Sequence, residues 1–379
     1  VYLGILGGHF HSDVGERKFM ENSSVLRLRF AMEKRLLNFQ ADKIEMVLAA
    51  HKAPARVWGG RLTPRTIQFH LAPAANTKLA KLEALTEEVA LALGSPSARL
   101  TRSNGTLSLE VPRTEARWVA LRDLAARLRE DADLRRALTL AGTAILGIDA
   151  EGVPLLLRLS SPDVAHCLIA GTTGSGKTEL ARTLVASLAM HQKPRDLQLA
   201  LFDPKARGLA IFAALPHLLF PVASDPDEMQ GRLHYLVGEM ERRDRDGMAR
   251  PRIVVVVDEL ADALHACGHS LEQHLTRLVQ RGRSAGISVV ACTQKPSAAA
   301  MSTLMRANFP VRLVGRVTSA DDARVAAGIG GTGAEKLAGR GDFLLIAGGQ
   351  VIRFQAAQMQ PHDVPMEQPA RRGLLHRVK

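Results

Sequence analysis

The chain predicts an α/β fold: a P-loop NTPase domain with a mostly parallel sheet, preceded by a small α+β domain. A complete phosphate-loop motif, Gly171–Thr178, lies between an apolar run and a helical segment. From about residue 140 to 360, short apolar runs alternate with helical stretches, the pattern of a parallel sheet with helices on both faces. Upstream, residues 51–113 carry strand and helix textures of their own.

In chain order, residues 1–50 read as an N-terminal helical or linker segment, with a helix around Val25–Leu48. Residues 51–113 read as a β-α-β-β module. Thr66–Leu71 alternates, with Ile67, Phe69 and Leu71 on one face and Gln68 and His70 on the other. Lys78–Leu93 repeats leucines at helical spacing and is stopped by Gly94. Strands near Ser97–Arg102 and Thr106–Val111 flank the turn Ser103-Asn104-Gly105. Residues 114–139 form a helical connector with Trp118, Leu121, Leu124 and Leu128 on one stripe. Residues 140–362 read as the α/β domain that carries the phosphate-loop motif, and 363–379 as a basic tail.

Composition narrows the function classes. Lys and Arg number 50 against 38 Asp and Glu, a formal +12, which favours a polyanionic partner, nucleic acid before an anionic membrane. The three cysteines, Cys167, Cys267 and Cys292, are isolated, which speaks against a disulfide framework or a zinc site and suits a reducing cytosol. No apolar run approaches the roughly 18 residues of a membrane span. A cytoplasmic location is expected. Because the chain opens on Val1, an upstream anchor or a membrane-bound partner stays compatible with it.

The motif Gly171-Thr172-Thr173-Gly174-Ser175-Gly176-Lys177-Thr178 fits G-x-x-x-x-G-K-[ST] in full. Its glycines let backbone N–H groups converge on phosphate at a positive helix end. Lys177 is expected to reach the β- and γ-phosphates of ATP, and the Thr178 hydroxyl to ligate Mg²⁺. Downstream, the β-branched run Ile253–Val257 ends in Asp258-Glu259. Asp258 is placed to complete Mg²⁺ binding, and Glu259 to polarise the attacking water. A third strand, Ser288–Thr293, ends in Gln294, a candidate γ-phosphate sensor. A guanine-reading Asn-Lys-x-Asp motif is absent downstream, so ATP is expected rather than GTP.

With these residues in order, the sequence resembles the FtsK/SpoIIIE branch of the FtsK–HerA superfamily. The further carriers are Asp203-Pro204-Lys205, Asp258-Glu259-Leu260-Ala261-Asp262, Arg283-Ser284-Ala285-Gly286-Ile287, Thr293-Gln294-Lys295-Pro296, Gly333-Ala334-Glu335-Lys336-Leu337 and Gly341-Asp342. The resemblance implies a RecA-like ATPase domain behind a small α domain, and a homohexameric ring around double-stranded DNA. It implies that Arg283 acts in trans on a neighbour's γ-phosphate; by itself, the sequence shows only that Arg281 and Arg283 end a helix. It also implies DNA contacts from Lys295 and Arg306 in one loop and Arg324 in a second. Ala320 stands where another basic residue is often found, and Arg242–Arg252 is shorter than in cell-division members. The chain reads as a motor region without the C-terminal winged-helix domain or the N-terminal membrane region. The function implied is ATP-dependent translocation of double-stranded DNA, with a loading or anchoring partner left open. The alternative is a conjugation-type coupling or secretion ATPase moving single-stranded DNA or protein.

Overall fold

The computed structural model describes residues 24–63, 65–103, 105–113, 118–294 and 301–365. The expected turn residue Asn104, the DNA-contact candidate Lys295 and residues 366–379 of the basic tail lie outside this set. The chain divides into two units at Trp118/Val119.

The first unit is built on a four-stranded antiparallel sheet of order β1-β2-β4-β3. Its elements are α1 (Ser24–Ala50), β1 (Ala55–Leu62), β2 (Thr66–Pro73), α2 (Leu79–Ala84), α3 (Thr86–Leu93), β3 (Arg99–Ser103) and β4 (Thr106–Pro112). Phe69, Leu71, Leu109 and Val111 on the sheet pack with Leu82, Leu85 and Val89 of the helical segment. Ile44 and Leu48 of α1, one helical turn apart, are buried in the same core. A boundary at residue 51 would therefore cut that core, and α1 belongs to this unit rather than to a linker. β1 escapes the sequence pattern because its register shifts between Val57 and Gly59, which breaks the alternation. A Cβ on Gly60 would lie 2.7 Å from the Gln68 carbonyl oxygen, so glycine is required at that crossing.

The second unit is the α/β domain. It comprises β5 (Val119–Ala120), α4 (Leu121–Glu130), α5 (Ala132–Thr139), β6 (Thr143–Asp149), β7 (Pro154–Arg158), β8 (Cys167–Ala170), α6 (Lys177–His191), β9 (Leu197–Phe202), α7 (Pro226–Asp246), β10 (Arg252–Val257), α8 (Leu260–Arg281), β11 (Ile287–Thr293), α9 (Thr303–Ala307), β12 (Val311–Val314), α10 (Ala320–Ala327), β13 (Asp342–Ala347) and β14 (Gln350–Gln358). Strand order is β7-β6-β14-β13-β12-β8-β11-β10-β9, with β5 beside β14. The block β12-β8-β11-β10-β9 is parallel. β13, β14, β6 and β7 form an antiparallel wing that alternation of strands and helices did not announce. Within the wing, tight turns join β13 to β14 and β6 to β7 in place of crossover helices, Gly348-Gly349 with positive φ between β13 and β14 being one.

Strands of the parallel block are buried on both faces, which is why they read as unbroken apolar runs. Val254 and Val256 of β10 face the α6 side, and Ile253, Val255 and Val257 face α7 and α8. Leu121, Leu124 and Leu128 of α4 are buried in the domain core, so the connector is part of this domain. Trp118 precedes α4 and is 60% exposed, off the stripe where the sequence placed it. Among the described residues, no helix is long and apolar enough to cross a membrane.

The wing is anchored at Gly147. A Cβ there would sit 2.0 Å from the Gln355 carbonyl oxygen on β14. Gly147→Ala should cost at least the roughly 1–3 kcal/mol of overpacking, read as a lower midpoint in urea unfolding. An unchanged midpoint would refute the close strand approach.

Candidate nucleotide site

β8 is an interior strand of the parallel block, with β12 on one side and β11 on the other. The chain leaves β8 for the far edge at β9, returns through β10 and β11, then crosses to β12. β8 is thus the point where connections reverse direction, and the crevice at its carboxyl end is where α/β sheets bind ligands.

The loop after β8 takes its shape from glycines and from distant segments. Gly174 and Gly176 hold φ of 79° and 102°, open to glycine and strained for other residues. A Cβ on Gly176 would lie 2.8 Å from the Gly341 nitrogen. Arg316 accepts from the Thr172 amide at 2.8 Å and from its hydroxyl at 3.0 Å through its carbonyl oxygen. The Arg340 and Gly341 amides donate to Gly174 and Ser175 carbonyls at 2.9 and 2.8 Å. The Thr172 side chain therefore braces the loop. α6 opens on Gly176 with no side-chain cap, and the Ser175 hydroxyl is buried with no partner. Uncapped helix N–H groups and an orphan buried hydroxyl fit a bound phosphate.

Lys177 is buried, and its Nζ donates to the Thr172 carbonyl at 3.2 Å. Burial pushes its pKa down, opposed chiefly by the Glu259 carboxylate. A buried ammonium with so little hydration is stabilised by an anion. The Thr178 hydroxyl lies 3.3 and 3.4 Å from the two Asp258 carboxylate oxygens. Burial, then the charge of Asp203, holds the Asp258 carboxyl above its ordinary range, a penalty that a divalent cation relieves. Among the described residues no three His, Cys, Asp or Glu side chains cluster as a complete metal site. Thr178 and Asp258 fit a Mg²⁺ ion that keeps water and phosphate oxygens as its other ligands.

Glu259 links β10 to α8 with φ of 62°, a left-handed conformation unusual for a non-glycine residue. It is 6% exposed, and its Oε1 accepts from the Gln294 amide at 3.1 Å. Gln294, at the end of β11, accepts from the Thr173 hydroxyl at 3.1 Å. One residue thus joins the phosphate loop to the candidate base.

Arg283 lies elsewhere. It follows the end of α8 and precedes β11, whereas the phosphate loop lies at the opposite, carboxyl ends of the strands. Seven residues of β11 separate Arg283's edge from Gln294, a span of about 23 Å. Arg281 pairs with Asp244 at 3.0 Å, while Arg283 is exposed with no partner among the described residues. Of the two helix-end arginines, Arg283 is the one left available.

The structure also brings Arg306 and Arg324 into one neighbourhood through a residue the sequence did not single out. Arg312, on β12, donates to the Arg306 carbonyl at 3.1 Å and to the Val325 and Ala326 carbonyls at 3.3 Å. It knits α9 to the end of α10. Arg324 is exposed, and faces Asp321 at 3.6 Å. Arg306 is half-buried, and donates to the Thr303 hydroxyl at 3.2 Å. Arg312 carried no motif, so only contacts reveal it.

The turn after β9 lies beside the candidate cation site. Asp203, 1% exposed at the end of β9, accepts from the Lys205 and Leu209 amides at 3.2 and 2.8 Å. The turn it folds brings Gly208 so close that a Cβ there would meet an Asp258 carboxylate oxygen at 2.0 Å. Lys205 Nζ pairs with Asp262 at 2.8 Å. The Asp203-Pro204-Lys205 motif was visible in the sequence, but its role was not.

Phosphate loop, buried strand-end acids and parallel sheet together define a P-loop ATPase. Comparison with known proteins makes the class specific. Residues 131–249 match the FtsK/SpoIIIE family and residues 26–113 the FtsK alpha domain. DNA translocase SpoIIIE of Bacillus subtilis is 31% identical over 364 residues, 88% of this chain and 45% of that protein. DNA translocase FtsK of Lactiplantibacillus plantarum is 33% identical over 355 residues, 86% of this chain and 43% of that protein. The chain belongs to the FtsK/SpoIIIE family, and spans a little under half the length of these curated relatives. Its fold is similar to that of the conjugation coupling protein TcpA of pCW3 in its ATPγS form. That likeness has a TM-score of 0.58 at 17% identity, over 86% of this chain and 98% of the other. The cytoplasmic domain of the Thermomonospora curvata Type VII secretion ATPase EccC gives a TM-score of 0.53 at 26% identity, over 57% of this chain and 29% of that one.

Lys177→Ala should abolish hydrolysis and weaken nucleotide binding, because the loop loses its side-chain cation. Glu259→Gln should retain ATP and stop turnover, since Thr178 and Asp258 stay in place. Equilibrium ATP binding and steady-state hydrolysis of both variants check this; hydrolysis by Glu259→Gln at the parent rate would remove Glu259 as the base.

Proposed function

We propose that this chain is the motor of an ATP-dependent double-stranded DNA translocase that works in the cytoplasm as a ring-shaped, hexameric oligomer. The carrying observation is the split of the catalytic charges between opposite edges of one sheet. Lys177, Thr178, Asp258, Glu259 and Gln294 gather at the carboxyl ends of β8, β10 and β11, whereas Arg283 stands free at the amino end of β11. A chain so built completes its site only against a second copy, head to tail. A repeated head-to-tail contact closes into a ring when its rotation permits.

Bound Mg²⁺-ATP supplies the phosphoryl group to be cleaved. Lys177 and the α6 N–H groups hold its charge, and Thr178 and Asp258 hold the cation. Glu259 orients water and takes its proton, using the carboxylate oxygen not engaged by the Gln294 amide. Arg283 of a neighbouring copy neutralises charge developing on the transferred group. Gln294 ties the state of the phosphate loop to the chain that continues toward Lys295.

The relatives named as DNA translocases and the formal +12 charge favour DNA as the substrate. Arg306 and Arg324, with Lys295, are the residues proposed to grip phosphates. A motor must release and re-grip at every step, so backbone contacts suit it and base-edge contacts would stall it. The similarity of TcpA extends over 86% of this chain, which keeps a conjugation-type coupling function as the second reading. Hydrolysis stimulated by linear duplex but not by single-stranded DNA selects the first; the reverse selects the second.

Arg283→Ala should bind ATP normally and hydrolyse it about 10³–10⁵-fold more slowly. Mixed with Glu259→Gln subunits it should partly recover, because an intact Glu259 then meets an intact Arg283. No recovery at any mixing ratio would refute a shared site. Duplex binding should fall with salt at a log–log slope of about −0.9 per phosphate contact. Arg306→Ala or Arg324→Ala should make that slope shallower, equally for two unrelated sequences; an unchanged slope, or loss on one sequence only, would refute phosphate gripping.

A further inference from the structure

A built network surrounds the turn that carries Arg283. The turn runs from the end of α8 to the start of β11, and the end of α7 lies against it. Ser284 donates its hydroxyl to Asp244 Oδ1 at 2.9 Å, and Arg281 pairs with Asp244 Oδ2 at 3.0 Å. One carboxylate therefore bridges the residues on both sides of Arg283, two before it and one after. Arg243, 2% exposed, donates through Nη1 to the carbonyls of Ala285 at 3.1 Å and Pro251 at 2.6 Å. Its Nε donates to Glu239 at 2.7 Å.

The backbone is closed just as tightly. The Gly286 amide donates to the Arg283 carbonyl at 3.2 Å, and the Ile287 amide to that of Gly282 at 2.8 Å. Gly286, at φ of 71°, could not carry a Cβ, which would lie 2.1 Å from the Ala249 carbonyl oxygen. Hydrogen bonds from Arg242, and then from Arg243, hold the Glu239 carboxyl down to about 2, so the ion pair stays charged across the working pH range. In the middle of this order stands Arg283, exposed and unpaired among the described residues. A turn tied at every neighbour with its central side chain left open is pre-organised for a partner.

We propose that Asp244 and Arg243, at the end of α7, are positioning residues that present Arg283 to the nucleotide of a neighbouring copy. The proposal rests on the reading of Arg283 as a trans-acting arginine. Asp244 fixes the turn from outside and Arg243 from beneath. Their effect is exerted on the neighbour's hydrolysis and not on the site of their own chain, which lies at the other edge of the sheet. A misplacement of about 1 Å in a catalytic group costs on the order of 100-fold in rate.

The test is made in mixed assemblies of the full chain. Arg283→Ala subunits act as acceptors, able to hydrolyse only with a donated arginine. Glu259→Gln subunits act as donors. Adding Asp244→Ala to the donor should lower the recovered kcat by about 10- to 100-fold, with KM for ATP unchanged. Adding the same Asp244→Ala to the acceptor should leave the recovered rate near its starting value. Ser284→Ala in the donor should give a smaller loss, and Asp244→Asn, which can still accept from Ser284, should restore part of the rate. Equal losses with the change in donor and acceptor would mean a general structural role and overturn the proposal, as would no loss in either. If Arg283→Ala alone hydrolyses at the parent rate, the trans arginine itself fails, and the positioning role falls with it. If Arg283→Ala is inactive and rescued, but Asp244→Ala donors rescue fully, only the positioning role fails.

Discussion

The site depends on holding acidic groups out of water at the ends of neighbouring strands. Asp203, Asp258 and Glu259 lie at the carboxyl ends of β9 and β10, with Lys177 as the buried cation among them. Asp203 is satisfied by two backbone amides and Glu259 by one. Among the described residues, Asp258 meets the Thr178 hydroxyl alone, at more than 3 Å, and remains the least compensated of the three. Charges arranged in this way interact strongly because little water screens them. Such an arrangement is costly by itself, and a cation together with a polyphosphate would relieve it. Gly208 belongs to the same constraint, since no side chain could stand against the Asp258 carboxylate.

A parallel sheet has two different edges, and the candidate residues of this chain lie on both. Carboxyl ends collect the candidate nucleotide-binding groups, whereas the amino end of β11 carries Arg283. Helix α7 joins the two roles mechanically, because its core face packs on the sheet while its last turn grips the Arg283 turn. The phosphate loop is itself braced by the segment between β12 and β13, through Arg316, Arg340 and Gly341. Movement of that segment would alter the cradle directly. The strained backbone of Glu259, followed by the amide contact to Gln294, is a further point at which geometry is stored at the site.

Fold alone does not decide the cargo. The conjugation coupling protein and the secretion ATPase share this architecture at low identity, so substrate choice resides in surface residues and loops. Arg306 and Arg324 are brought together by the half-buried Arg312, whose guanidinium satisfies carbonyls of two helices at once. Gly328 beside it holds φ of 76°, a left-handed conformation that favours glycine. The two candidate DNA-contact residues are thus joined through a half-buried residue that itself need not touch DNA.

Much of the nucleotide site was legible in the chain, because the phosphate loop, the β-branched run before Asp258 and the strand ending at Gln294 are local patterns. Backbone periodicity and glycine placement determine them without reference to distant residues. The limits of the small unit were not legible: Ile44 and Leu48 show an apolar face, but not what it packs against. β1 was hidden by a bulge, and the antiparallel wing by turns that resemble any glycine pair. Arg312, Gly208 and Asp244 carried no signal at all, because their roles consist of contacts with residues far away in sequence. By itself the sequence determined which groups can do phosphate chemistry and which strands deliver them. Only the tertiary structure decided which arginine stands free, which acid is left uncompensated and which turn is clamped, because burial and hydrogen-bond partners are properties of the packed chain.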